Sequence, residues 1–140
     1  MPLVGGGGAP NVAGSNPTGV GTGINYIGNH AFAHSGLIGS ATSEATQLKF
    51  STGNSYITAT LMLNGGVDPA NIGNGINTIF YINMNGERIS AIKTETNLED
   101  MPSTMLYKVL IPANTDFEVT ADSDFTGYDT SVTMTGRVYR

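Results

Sequence analysis

The chain has no cysteine, no tryptophan and only two histidines. Each shortage excludes a kind of chemistry. Without cysteine there is no disulfide framework and no thiolate, and the redox compartment stays open. His30 and His34 have no third His or Cys to complete a zinc site. On a strand they would share one face about 13 Å apart, so a structural or surface role is expected for both. No serine lies in a Gly-x-Ser-x-Gly elbow, which argues against a Ser-His-Asp triad. No catalytic residue, no metal site and no cofactor is therefore expected.

Charge is also scarce. Only 12% of the residues are charged, about half the usual share, and Gly, Ser, Thr and Asn fill the gap. A neutral polar surface on a β-rich protein has this composition. The six Lys and Arg are scattered among eleven acids, for a net charge of −5. No basic stripe exists to neutralise phosphates, so direct nucleic-acid binding is not expected. No apolar run approaches the roughly 18 residues of a membrane span. The N-terminus lacks the basic and apolar regions of a signal peptide, so synthesis inside a cell without export is expected.

Two regions divide the chain. Residues 1–23, "MPLVGGGGAPNVAGSNPTGVGTG", carry no charge and little apolar bulk. Such a segment loses much entropy on ordering and recovers little by burial, so an arm ordered only against a neighbouring subunit or the outside of its own sandwich is expected. Leu3, Val4, Val12 and Val20 are its candidate anchors. Its Gly19-Val20-Gly21-Thr22-Gly23 lacks the Lys-Ser/Thr, the strand and the helix of a phosphate loop.

Residues 24–140 read as strands. "EATQLKFSTG" sets Thr46, Leu48 and Phe50 against Gln47, Lys49 and Ser51. "SYITATLMLNGG" sets Ile57, Ala59, Leu61 and Leu63 against Tyr56, Thr58, Thr60 and Met62. Asn85-Gly86 suits a two-residue type I′ turn and predicts a hairpin of 77–84 with 87–94. Further strands are expected through Ile111, through Ala121 and within "SVTMTGRVYR" (131–140). "NLEDMPSTM" has room for one helical turn, limited by Pro102. The sum is an all-β fold of about eight strands. An eight-stranded jelly-roll β-sandwich with an extended Gly-rich N-terminal arm is the predicted architecture. An immunoglobulin-like sandwich is disfavoured by the missing Trp and Cys.

The acids gather late. Asp122, Asp124 and Asp129, with Phe125 and Tyr128, form a candidate ligand loop. Its spacing departs from an EF-hand, and a solvated loop folded back on the sandwich is the favoured reading.

Three stretches, "INYIGNHAFAHSG", "STGNSYITATL" and "LIPANTDFEVTA" with "VTMTGRVY", carry a resemblance. Over about Ile24 to Tyr139 the chain resembles small single jelly-roll virion proteins of aquatic viruses and phages. The resemblance implies a virion structural role: a minor capsid, decoration or vertex component. It implies localisation in the virion and, as partners, other copies of the chain and other capsid proteins. The alternative expectation is a trimeric head, tumour-necrosis-factor-like or lectin-like, that binds a receptor or glycan through the 122–130 loop, whether or not it serves as a virion spike.

Overall fold

A computed structural model describes residues 24–67, 76–96, 104–124, 126 and 128–139. The arm of residues 1–23 with Leu3, Val4, Val12 and Val20, the 97–103 segment and Phe125 lie outside the described residues.

The described residues form ten strands. They are β1 (Asn25–Ile27), β2 (His30–His34), β3 (Ile38–Gly39), β4 (Ala45–Ser51), β5 (Tyr56–Val67), β6 (Ile76–Met84), β7 (Glu87–Thr96), β8 (Thr104–Ile111), β9 (Asp116–Ser123) and β10 (Asp129–Tyr139). Two antiparallel sheets result. One runs β1-β2-β10-β5-β8, with β3 also on β10; the other runs β4-β9-β6-β7. The expected eight becomes ten because β1 and β3 are short extra strands beside β2 and β10.

The β6–β7 hairpin turns where the sequence predicts. Asn85 and Gly86 have φ of 51° and 84°, the left-handed values that a type I′ turn requires. From this turn outward, the two halves of the chain stay paired. β6 lies on β7, β5 on β8, β4 on β9, and β2 and β3 on β10.

Pairing continues through two corners where the described chain changes sheet. Between β4 and β5, the Thr52 amide donates to the Thr115 carbonyl (3.1 Å) and the Asn114 amide to the Gly53 carbonyl (2.6 Å). The Thr52 hydroxyl donates to the Pro112 carbonyl (2.8 Å) and accepts from the Thr115 amide (3.1 Å). At another corner the Ser40 amide donates to the Tyr128 carbonyl, and the Ser123 amide to the Ala41 carbonyl (2.8 Å). Backbone groups that would lose partners at a bend are thus satisfied across it.

The core fills the space between the sheets. Leu48, Phe80, Ile82, Phe117 and Val119 come from one sheet, and Ile57, Leu61, Leu63, Val132 and Met134 from the other; all are fully buried. Phe50 and Phe117, cross-strand partners, pack with ring centroids 5.2 Å apart. The alternation along β5 is as the sequence predicts: Ile57, Ala59, Leu61 and Leu63 point inward.

Strand β4 departs from its predicted alternation. Its pairing with β9 shifts register between Thr46 and Leu48, so Gln47 is an extra residue. The bulge turns Gln47 inward beside Leu48, where its Oε1 accepts from the Thr130 hydroxyl (3.2 Å), and leaves Thr46 beside Thr120 on the outer face.

Gly136 in β10 lies between Ala31 and Ala59 of the flanking strands. A Cβ there would lie 2.7 Å from Ile57 Cγ2 and 2.7 Å from the Thr58 carbonyl oxygen. Backbone cannot yield as a flexible side chain can. Gly136→Ala is expected to destabilise the fold by about 1–3 kcal/mol through overpacking, read as a lower midpoint in urea.

Candidate functional site

The outer face of the β4-β9-β6-β7 sheet holds a polar network. Strand alternation turns Glu118, Thr120 and Asp122 of β9 and Tyr81 and Asn83 of β6 to the side away from the core, where neighbouring side chains bury Thr120 and Asn83. Arg88, near the start of β7, and Glu44, just before β4, come from opposite edges of the sheet.

Arg88 bridges these edges. Its Cζ lies 3.9 Å from the Tyr81 ring centroid, a cation–π contact. Its Nε donates to Asn83 Oδ1 (3.2 Å), and its Nη2 forms an ion pair with Glu44 Oε2. The same Glu44 oxygen accepts from the Thr120 hydroxyl. The Tyr81 hydroxyl donates to Asp122 Oδ2 (3.1 Å), and the Thr46 hydroxyl to Glu118 Oε2 (2.6 Å). One set of contacts thereby crosses all four strands.

The two perturbed groups in this network move away from neutrality in opposite directions. The Thr120 hydrogen bond, and then Arg88, hold the Glu44 carboxyl below its ordinary value of 4.5, against some desolvation. Burial, and then the hydrogen bond to Asp122, push the Tyr81 phenol above its ordinary value of 10.0. Glu44 stays ionised and Tyr81 stays protonated at pH 7. Neither is tuned to exchange a proton there, and the network braces strands.

The candidate ligand loop is divided by the fold. Asp122 lies one residue before the end of β9 and accepts from Tyr81. Asp124 folds back on β6: Oδ1 accepts from the Asn77 amide (3.0 Å), Oδ2 from Asn77 Nδ2 (3.0 Å), and its own amide donates to the Asn77 carbonyl (3.1 Å). Tyr128 is buried, with 7% exposure, and its amide donates to Ser40 Oγ (3.1 Å). Asp129 starts β10, opposite Gly39 and Val67. Asp122 and Asp124 are thus engaged with β6, and Tyr128 faces inward. Among the described residues, no group of three or more His, Cys, Asp or Glu is placed to hold a metal ion.

Both histidines lie on β2, on the outer face of the other sheet. The Gly36 amide donates to His34 Nδ1 (2.8 Å), which places any proton of the neutral ring on Nε2. Phe32 packs edge-on against His34, 5.6 Å between centroids. Sequence reasoning missed Arg88, Tyr81 and Thr120. Tyr81 and Asn83 do share the polar parity of "INTIFYINM", but nothing local points from Arg88 to Glu44.

No protein-family model matches this chain, and a search of curated proteins finds no match. The fold and the network define a class: an all-β sandwich of two antiparallel sheets whose described polar clusters hold strands together.

Two outcomes test this account. The lowered Glu44 pKa contributes stability above about pH 4.5, which is lost as pH falls through the folded-state value. Glu44→Gln should lower stability near pH 7 by about 0.5 kcal/mol, since the pair is about a third or more exposed, and should flatten the acid limb of a melting-temperature profile between pH 7 and 3. Tyr128→Ala should cost about 3 kcal/mol in thermal or urea unfolding, as expected for a buried ring and not for a surface contact.

Proposed function

We propose that this chain is a virion structural protein, a minor capsid, decoration or vertex component, with a jelly-roll body and an N-terminal docking arm. The observation that carries the reading is the nested pairing of strands. Leaving aside the short β1 and β3, the sheets read β2-β10-β5-β8 and β4-β9-β6-β7. A long hairpin rolled into two Greek keys has this order, and that is the jelly roll of capsid and lectin domains.

A fold alone does not select between those uses. The side chains lend more support to the structural role. Tyr128 is buried, and the exposed Asp124 already has both carboxylate oxygens engaged by Asn77, which leaves less of the loop for a glycan. The acids of β9 serve strand bracing. A charge-poor body with sheet edges to cover is suited to subunit contacts.

The arm of residues 1–23 is the strap in this reading. Removing it should leave a body with unchanged β-sheet circular dichroism and a cooperative melt that no longer joins the particle. The full chain should be found by peptide mass in intact particles and, when purified, as a discrete homo-oligomer, three- or five-fold. A truncated body that joins normally overturns the arm's role. A monomer absent from every particle fraction overturns the function, and glycan binding by that monomer would favour the receptor-binding head.

A further inference from the structure

Among the described residues, four strands bound the two sheets: β1, β8, β4 and β7. An edge strand offers unpaired N–H and C=O groups to any other chain, and proteins blunt such edges. Three of these four are blunted. β1 has three residues. β4 carries the Gln47 bulge and Lys49. β7 carries a register shift opposite Ile82 and Asn83, together with Glu87, Arg88, Lys93 and Glu95.

β8 has one of these devices, the charge of Lys108, but neither a bulge nor a short span. Its eight residues, "TMLYKVLI", pair with β5 without a register shift from Thr104 to Ile111. The strand has no proline and a single charge, Lys108. Its outward row is apolar apart from that lysine and Thr104. Leu106 and Leu110 are 60% and 55% exposed, and Met62 beside Leu106 is 43% exposed.

The geometry points to a second copy of this chain as the occupant, added antiparallel, β8 to β8, across a two-fold axis at Tyr107. Charge favours a like copy here. Asp129 is the single carboxylate on the strands of this sheet, whereas the described acids otherwise belong to the β4-β9-β6-β7 sheet and its ends. Two chains of net charge −5 can meet at β8 with no carboxylate of the described strands of this sheet opposed to another across the seam.

The pleat selects the register. A two-fold pairing that keeps core-side residues on the core side must be centred on a residue. Centred on Leu106, it would pair only residues 104–108 of the strand, and centred on Lys108 it would oppose two lysines. Centred on Tyr107, it opposes Met105 with Val109 in the core-side row, and Leu106 with Lys108 in the outer row. The leucine then covers the lysine stem. The arm of residues 1–23 is a poor occupant, because Pro2, Pro10 and Pro17 cannot donate to a ladder and its glycines weaken a strand. The inference stands on the sheet edges and does not depend on a virion role.

Sedimentation of the full-length chain over a range of concentrations tests it. The wild type should show reversible pairing by two, either of single chains or, where a three- or five-fold oligomer forms, of those oligomers. Leu106→Lys sets like charges opposite each other twice per dimer and should weaken self-association about tenfold. Leu106→Glu faces Lys108 of the second copy and should not weaken it. Lys108→Glu added to Leu106→Lys should restore it. Ile27→Lys, on the β1 edge, should leave it unchanged. Residue 106 is largely exposed, so circular dichroism should show each variant folded. A wild type that stays monomeric overturns the inference. So does equal weakening by both signs at 106, or association that ignores residue 106 and vanishes on deleting residues 1–23, which would make the arm the occupant.

Discussion

Everything in this fold depends on one ladder of backbone hydrogen bonds. It starts at the Asn85-Gly86 turn and runs outward between the two halves of the chain, through β5 on β8 and β4 on β9, to β3 and β2 on β10. Thr52 with Thr115, and Ser40 with Tyr128, carry it around corners where the strands change sheet. Because partners far apart in sequence must find one another, the topology pairs residues such as Phe32 and Thr135. Loop-closure entropy opposes such contacts until they are made together, so the ladder and the core must form cooperatively.

Rolling the ladder creates two sheets with different outer faces. On one, the acids of β9 are matched by hydroxyls, and Arg88 lies over Tyr81 to reach Glu44. This face is covered by its own side chains. The other face keeps Tyr56 stacked on Tyr139 at 5.0 Å and leaves Met62, Leu106 and Leu110 open. The asymmetry has a physical consequence: one surface is tied together at its centre by internal pairing, and the other retains apolar area and, at β8, an edge without a bulge.

The local signals were legible. Alternation in "SYITATL" named the inward residues of β5, and Asn-Gly named a turn whose φ values are those required. The Gln47 bulge was not legible, because it arises from registering β4 against β9, 72 residues away at the Thr46–Glu118 contact. Nor was the Arg88–Glu44 pair, since neither residue carries a local motif and each is placed by a different edge of the sheet. The late acidic loop looked like a site because its residues cluster in sequence. The fold disperses them, sending Asp124 to Asn77 and Tyr128 inward.

By itself, then, the sequence determined the strand class, the turn at Asn85-Gly86 and the parity of the core, because those follow from side-chain period and local φ preference. It also ruled out thiol and disulfide chemistry, since the residues for them are absent. Only the tertiary structure decided which acids are satisfied internally, which glycine has no room for a Cβ, and which of four sheet edges is left open. Those properties belong to pairs of strands brought together over long stretches of chain, and no single segment contains them.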